Sequence, residues 1–385
     1  MSAGSVPKRQ SAAARAAAAL IVTAFRDPQA LARFSLAEWD LLLHQSDKSM
    51  LMAALHALAC EHGLLDALPA PVRTHLAWAD TLGQRHRAGV HWEITQIRRA
   101  LGELGVQIVL LKGAAYTMGG LAAGRGRLYS DIDILVPRAR LDEVESALLI
   151  NGWASARQDP YDERYYREWM HELPPMVHLK RQSAIDVHHA ILPLTAAARP
   201  DSARLLAQAR PLRLEDHADS GAGPGGARHD PLFQVLAPCD MVLHSAVHLF
   251  HDEFAHGLRD LIDIHRLLGE FGTDPGFWEA LPARAAELQL GRSLFYALRY
   301  AERLLGTPVP ASVRQQVRAF APAAALLALM DALLLRALLP HHPSCKDRYT
   351  GVARFLLYLR ANWLRMPPIL LARHLFHKAF LSPKQ

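Results

Sequence analysis

Apolar residues recur at helical spacing through the first hundred positions of the chain. Residues 12–104 are rich in Ala, Leu, Arg and Glu, and in SLAEWDLLLHQ the pair Ser35 and Glu38 has the spacing of a capping box. From residue 106 the pattern changes, because VQIVLLKG and SDIDILVP are short β-branched runs that end at Gly and at Pro. RLDEVESALLINGW returns to helical spacing and stops at Asn-Gly, a common helix end. The pattern predicts a helical lead-in followed by alternating strands and helices.

A second change of pattern follows this unit. The polar, aromatic-rich DPYDERYYREWMHELPPM favours a loop with one or two helical turns, and SAIDVHHAIL favours a further strand. The stretch DHADSGAGPGGARHDP lacks apolar anchors, as a flexible linker does, and long helical periodicity follows it. We expect an α+β fold in which a small mixed sheet with helices is flanked by helical regions. The expected units are a helical N-terminal region, a core, the linker and a helical C-terminal region with a basic tail, at residues 1–104, 105–215, 216–231 and 232–385.

The composition is that of a folded protein in a reducing compartment. The 385 residues are 51% hydrophobic and 21% charged with a formal net charge of +6, which suits two or three packed units and excludes a disordered chain. Cys60, Cys239 and Cys345 have no disulfide or zinc-site spacing and favour the cytoplasm. Arg15 interrupts the apolar N-terminus, so we expect a helix there and not a secretory signal.

The C-terminal region is both apolar and basic. Its most apolar segment, AAALLALMDALLLRALLP, is interrupted by Asp331 and Arg336, so we expect no integral membrane segment. We favour a helical pair whose apolar face packs on the body with its arginines in solvent, and the alternative is contact of the basic tail with phosphates, an anionic membrane face or another anionic partner. After Asp347 the chain has no acidic residue and seven basic ones: Arg348, Arg354, Arg360, Arg365, Arg373, Lys378 and Lys384.

Two aspartates lie one residue apart in the apolar run SDIDILVP. Side chains alternate along a strand, so Asp131 and Asp133 point to the same face, where two carboxylates repel unless a cation neutralises them. Mg²⁺, with Mn²⁺ as the alternative, binds such hard oxygen ligands together with substrate phosphates. Asp186, between Ile185 and Val187 on a later strand, is in position to complete the cluster. Three carboxylates on neighbouring strands suit metal-dependent phosphoryl or nucleotidyl transfer.

Residues that suit phosphate binding lie upstream of the aspartates. The strand in LLKG ends at Gly113, where backbone amides and the following helix can face a phosphate, and Lys112 adds a compact positive charge. Arg127 is a second candidate for binding the triphosphate, with Arg125 as its substitute. Ser130 completes the predicted nucleotide-binding set, although its position also suits a structural role at the strand entry.

The order of these motifs resembles a known superfamily. A strand, a glycine and a helix, then D-x-D between apolar residues and a single Asp on a later strand, are similar to nucleotidyltransferases of the DNA polymerase β type. LLKG, R-x-x-S-D-I-D-I-L-V and AIDVHH resemble a bacterial group of uncharacterised nucleotidyltransferases over roughly residues 105–195, with a weaker similarity in GLRDLIDIHRLL. The resemblance implies that Asp131, Asp133 and Asp186 bind the metal and that Gly113 belongs to the phosphate loop. The chain departs from the superfamily after this glycine, where Gly or Ser is usual and Ala stands here.

These features together predict a metal-dependent enzyme. It would transfer a nucleoside monophosphate from a nucleoside triphosphate such as ATP to an unidentified acceptor, a small molecule, a protein or RNA, and release pyrophosphate. One alternative is a non-catalytic relative that binds a nucleotide or a partner, and another is a D-x-D glycosyltransferase that uses a nucleotide-sugar. The G-x-S-x-G and H-E-x-x-H signatures of serine hydrolases and metalloproteases are absent from the sequence.

Histidines and charged residues outside these motifs have more than one interpretation. His188 shares the face of Asp186, and we favour a partly buried structural role over contact with substrate or metal-bound water. Three histidines on one helical face favour interhelical packing or substrate contact over a zinc site: His244, His248 and His251. Three charged residues on the next helical segment favour a surface ion-pair set, with the cleft between domains as the alternative: Arg259, Asp260 and Asp263.

Overall fold

Helices surround one mixed sheet in the computed structural model, which describes residues 19–156, 159–213, 229–367 and 370–371. The predicted fold class, an α+β core with a mixed sheet and flanking helices, is confirmed. The predictions made for residues 1–18 and for most of the linker lie outside the described residues.

In the described part of the chain, four α-helices precede the sheet. Helices α1 to α4 span Leu20–Arg26, Leu36–Asp47, Met52–Glu61 and Ala70–Leu101. The capping box predicted for α2 is confirmed, because the Glu38 amide donates to Ser35 Oγ at 3.3 Å and the Ser35 amide donates to Glu38 Oε2 at 2.9 Å. Near its C-terminal end α4 contacts the sheet region, where Glu93 accepts two hydrogen bonds from the Arg181 guanidinium at 2.7 and 3.0 Å. The N-terminal helices are therefore tied directly to the core.

The described residues form a sheet of seven strands in the order β3-β4-β5-β2-β1-β7-β6. Strands β1 to β7 span Ile108–Leu110, Asp131–Leu135, Trp153–Ser155, Met176–His178, Ala184–His188, Arg210–Arg213 and His229–Val235. Strand β1 pairs antiparallel with β2 and parallel with β7, whereas β2 pairs parallel with β5. The pairs β3 with β4, β4 with β5, and β6 with β7 are antiparallel. The two aspartate-bearing strands, β2 and β5, are thus direct neighbours.

Within the described ranges, four α-helices lie between the strands. Helices α5 to α8 span Lys112–Met118, Leu141–Ile150, Pro160–Trp169 and Ser202–Gln208. The aromatic-rich stretch that favoured a loop with one or two turns contains the whole of α7, 10 residues long. The Asp159 carboxylate caps this helix by accepting from the Tyr161 amide at 3.0 Å.

Strand β7 belongs to the same sheet as the predicted core, although it follows the predicted linker. Residues 229–231, assigned to the end of that linker, form the start of β7, and residues 214–228 lie outside the described part of the chain. Asp230 accepts hydrogen bonds from both terminal nitrogens of Arg98 on α4, and the Phe233 side chain is fully buried. The sheet therefore joins chain segments from both sides of the linker. The remaining domain boundaries stay predictions.

Seven α-helices follow the sheet among the residues that the structure describes. Helices α9 to α15 span Pro238–His251, Gly257–Phe271, Pro275–Glu287, Gly291–Leu305, Ala311–Val317, Ala324–Ala337 and Thr350–Arg365. One continuous hydrophobic core runs from α1 through the sheet to these helices. In the described ranges no single helix has both the length and the hydrophobicity of a membrane span. The segments Ala311–Phe320 and Ala324–Ala337 have that length and hydrophobicity only when they are taken together, and the chain bends by 107° between them.

Helix α15 packs on the body of the protein as the favoured interpretation predicted, but two of its arginines bind the body, so their predicted place in solvent is wrong. Arg354 donates to the Leu339 carbonyl at 3.1 Å and Arg360 to the Phe250 carbonyl at 2.7 Å. The opposite face of α15 exposes large apolar side chains: Val352, Phe355, Leu356, Leu359 and Trp363. Contact of the basic tail with an anionic partner stays a prediction, and the tail beyond residue 371 lies outside the described residues.

Candidate active site

The register between β2 and β5 brings the three predicted aspartates together. Asp133 pairs with Asp186, and Asp131 lies one alternation earlier on the same face of β2. One carboxylate oxygen from each of Asp131, Asp133 and Asp186 lies within 4.8 Å of the others. The apolar Ile132 and Ile134 between and after them are buried on the other face. We call these three residues the carboxylate group; their catalytic role stays a prediction.

Asp133 is the most enclosed member of the carboxylate group, with 4% of its surface exposed. Its Oδ1 accepts a hydrogen bond from Lys112 Nζ at 2.7 Å and another from His188 Nε2 at 2.9 Å. Burial alone would raise the pKa of Asp133, but the Lys112 ammonium and the His188 imidazole outweigh it and hold this pKa well below its usual range. Asp133 is therefore ionised, and two cationic groups stabilise its charge.

Asp186 has the opposite electrostatic environment. Burial, followed by the charges of Asp133 and Glu172, raises the pKa of Asp186 to about 8. In the absence of a further cation this carboxyl keeps its proton at neutral pH. A divalent cation bound by the carboxylate group removes that penalty, and its all-oxygen donors suit Mg²⁺ or Mn²⁺. The residues present thus fit the metal that the fold implies.

Lys112 is held in an unusual backbone conformation beside the carboxylate group. Its φ of +45° lies in the left-handed region, which costs free energy for a residue with a side chain. Burial would lower the pKa of Lys112, but Asp133 and Glu172 raise it above its usual value, so the amine stays charged. The backbone is therefore strained at the residue that carries this ammonium group.

Gly113 lies inside the first turn of α5, where two side chains from the loop before β2 approach it. A Cβ at this position would lie 2.4 Å from Arg127 Nη1 and 2.6 Å from the Tyr129 ring. The glycine is thus required for close packing, and its predicted phosphate contact is untested. Arg127, 7% exposed, donates from Nε to Asp263 at 2.6 Å, so its guanidinium already has an anionic partner.

The charged set at the start of α10 is buried, so the prediction of a surface ion-pair set is wrong, and the alternative of a cleft between domains stays a prediction. Arg259 donates to Asp260 at 3.0 Å and to the Leu128 carbonyl at 3.2 Å. Burial raises the pKa of Asp263 to about 6 although Arg127 opposes the shift. These contacts connect α10 to the loop that precedes β2.

A cavity of about 440 Å³ opens beside the carboxylate group. Its walls combine residues from the sheet region with residues from α9 and α10, among them Lys112, Arg127, Ser130, Asp131, Asp133, His248, Arg259 and Asp260. Ser130 Oγ donates to Asp131 Oδ1 at 3.3 Å, so it has a local structural contact as well as access to the cavity. His248 contributes to the wall, and His244 is buried. Within the described ranges, neither histidine belongs to a group of side chains close enough together to bind one metal ion.

Glu172 and His171 extend the site and were not identified from the sequence. Glu172 Oε2 lies 3.1 Å from His188 Nδ1, so His188 connects two carboxylates. Burial would lower the pKa of His188, but Glu172 and Asp133 raise it above its usual value. Burial raises the pKa of Glu172. No local sequence signal marks this glutamate, because only its pairing with the end of β5 brings it to the site.

The mixed sheet with its flanking helices is consistent with a nucleotidyltransferase fold. A family model described as uncharacterised nucleotidyltransferase matches residues 35–306, and the chain belongs to this family. The match extends from α2 to the end of α12, well beyond the segment on which the sequence resemblance rested. No curated protein and no solved structure matches the chain. Its bacterial origin and its place in the polymerase β-type superfamily stay predictions.

Proposed function

We propose that the protein transfers a nucleoside monophosphate from a nucleoside triphosphate to an acceptor and releases pyrophosphate in a metal-dependent reaction. The observation that carries this proposal is the carboxylate group, whose ligating atoms lie within 4.8 Å of one another beside a cavity of about 440 Å³. Membership of a nucleotidyltransferase family supports the same reaction class.

In the proposed reaction an acceptor oxygen attacks the α-phosphorus and loses its proton. The bond from the α-phosphorus to the oxygen that bridges to the β-phosphate breaks, and pyrophosphate leaves with that oxygen. Asp131 and Asp133 would hold the metal ions, and Asp186 would hold the ion nearer the acceptor and help to remove the acceptor proton. Bound Mg²⁺, or Mn²⁺, would supply positive charge at the reacting phosphate and at the leaving pyrophosphate.

The nucleotide would bind in the cavity with its phosphates toward Lys112. The Lys112 ammonium is charged and belongs to the cavity wall, as does Ser130. Arg127 also belongs to this wall, but it would have to exchange Asp263 for a phosphate oxygen. Gly113 would act by allowing Arg127 and the chain after it to lie close to α5. The cytoplasmic location stays a prediction.

Transfer from an α-labelled nucleoside triphosphate tests the proposal. The full chain is incubated with Mg²⁺, each nucleotide and candidate acceptors, and labelled product and pyrophosphate are measured with and without EDTA. Asp133→Asn should abolish transfer, whereas Asp142→Asn, which removes an exposed carboxylate on α6, should leave it unchanged. Transfer that survives Asp133→Asn would show that the site is assigned wrongly.

A non-catalytic binding protein is the second candidate, and the Lys112–Asp133 ion pair favours it, because this pair neutralises one member of the carboxylate group. This candidate predicts that Mg²⁺ and a nucleotide raise the melting temperature while no acceptor becomes labelled. A glycosyltransferase, the third candidate, predicts turnover of nucleotide-sugars in place of nucleoside triphosphates. The same preparation can be tested for all three activities.

A further inference from the structure

A second group of metal-ligating side chains lies next to the carboxylate group and shares none of its members. We propose that His171, Glu172 and His188 bind a divalent transition metal ion of the Zn²⁺ type. One ligating atom from each of these residues lies within 4.8 Å of the other two. The proposal is independent of nucleotidyl transfer, because it concerns a different set of ligands and a different class of metal.

The backbone holds the three ligands in place. The segment after α7 pairs with the end of β5, with Glu172 opposite His188. The Leu173 amide donates to the Val187 carbonyl at 2.9 Å, and the His189 amide donates to the His171 carbonyl at 2.8 Å. Side chains on directly opposed residues of paired strands lie close together, so the ligands are arranged before any ion binds.

The nitrogen and oxygen atoms of these three residues are placed to bind a transition metal ion. His171 Nδ1 is buried and has no hydrogen-bond partner among the described residues, which is rare for a buried polar atom. His188 Nδ1 lies 3.1 Å from Glu172 Oε2, so one imidazole nitrogen and one carboxylate oxygen already converge. Two imidazoles and one carboxylate form the ligand set of zinc sites that keep a fourth position for water or substrate.

The other nitrogen of His188 strengthens the case. Its Nε2 donates to Asp133 Oδ1 at 2.9 Å, which leaves Nδ1 on the side of Glu172 as the ligating nitrogen. Ligating histidines in metalloproteins usually donate their second N–H to a carboxylate, which orients the ring and makes it a better ligand. Asp133 would supply this contact while remaining a member of the carboxylate group. The mixed nitrogen and oxygen donors select Zn²⁺ or Co²⁺, whereas the all-oxygen carboxylate group selects Mg²⁺ or Mn²⁺.

Zinc binding to the full chain tests the proposal without any measurement of enzyme activity. Protein freed of metal with EDTA is loaded with Zn²⁺ and desalted, and bound zinc is counted by elemental analysis. Its affinity is measured by competition with a chromophoric chelator, and Co²⁺ loading reports nitrogen coordination by visible absorption. The wild-type chain should retain one ion. His171→Ala and Glu172→Gln should each weaken the affinity by about a hundredfold, as expected when part of a metal site is lost.

Two control variants identify the ion's position. His75→Ala removes an exposed histidine on α4, and Asp131→Asn removes a carboxylate-group ligand; both should retain one Zn²⁺ with unchanged affinity. Circular dichroism establishes that each variant is folded, and the Co²⁺ spectrum of the wild-type chain gives an answer that needs no variant. The proposal is overturned if the wild-type chain retains no ion, if folded His171→Ala binds Zn²⁺ as tightly as wild type, or if only Asp131→Asn loses it.

Discussion

Binding of Mg²⁺ to the carboxylate group should release a proton from Asp186. Burial and the neighbouring carboxylates raise the pKa of this residue to about 8, whereas an aspartate in an unfolded chain titrates near 3.9. A metal ligand must be deprotonated, so below pH 8 the ion competes with this proton. Mg²⁺ affinity should therefore depend on pH in a range where an ordinary aspartate site shows no dependence.

The size of the effect follows from the pKa. One pH unit corresponds to about 1.4 kcal/mol for a group that must lose one proton, so the apparent association constant should rise about tenfold per unit between pH 5 and pH 8. Above pH 8 the curve should flatten. The metal-free protein should behave in the opposite way, because a carboxyl whose pKa is raised by folding favours the folded state at low pH. This contribution is complete below the unfolded pKa near 4 and is lost as the pH rises through about 8.

Isothermal titration calorimetry in two buffers with different ionisation enthalpies counts the released protons directly. At pH 7 the wild-type chain should release about one proton per Mg²⁺ bound, and at pH 9 about none. Asp186→Asn should bind Mg²⁺ weakly and without proton release, whereas Asp142→Asn should match the wild type. A proton count near zero at pH 7 for the wild-type chain would refute the assigned environment of Asp186.

Three further substitutions test other parts of the structure. Gly113→Ala places a methyl group 2.4 Å from Arg127 and should lower the free energy of unfolding by about 1–3 kcal/mol, measured by urea denaturation; unchanged stability would contradict this packing. Asp240→Ala removes the fully buried, doubly bonded partner of Arg284, which keeps Glu287 as a second partner, and should cost about 1–3 kcal/mol in the same assay; unchanged stability would count against it. Lys112→Met should strengthen Mg²⁺ binding without nucleotide and weaken binding of the nucleotide with Mg²⁺. If calorimetry shows that the affinities for Mg²⁺ and for the nucleotide change in the same direction, the Lys112 ammonium does not contact both Asp133 and a phosphate in turn.

The central part of the site was predictable from sequence because its chemistry conflicts with its surroundings. Carboxylates within apolar strand segments are costly to bury, so the D-x-D in β2 and the single aspartate in β5 attract attention without any structure. The alternation of side chains along a strand then fixes their common face. The capping box of Ser35 and Glu38 was predictable for a related reason, since it depends only on residues three positions apart.

Long-range pairing explains what the sequence left open. Glu172 lies in an irregular segment and reaches the site only because that segment pairs with β5. Arg127 has the charge of a phosphate ligand and lies four residues before Asp131. Its carboxylate partner, Asp263, lies 136 residues further along the chain. Strand β7 begins with His, Asp and Pro, which favour a turn, and it is a strand because it pairs with β1 and β6. No local pattern contains these contacts.

The contacts of Asp133 link the carboxylate group, the nucleotide and the neighbouring histidine. Its Oδ1 already has two donors, Lys112 and His188, so a metal ion must either use the second oxygen or displace the ammonium. A divalent ion interacts with a carboxylate more strongly than an ammonium does, and a displaced Lys112 could contact a phosphate in the same cavity. His188 has no such alternative, because its other nitrogen faces Glu172. In the proposed reaction Asp133 would keep its orientation through His188 while Lys112 exchanges Asp133 for a phosphate, a role that would suit a lysine held in a strained conformation beside this carboxylate.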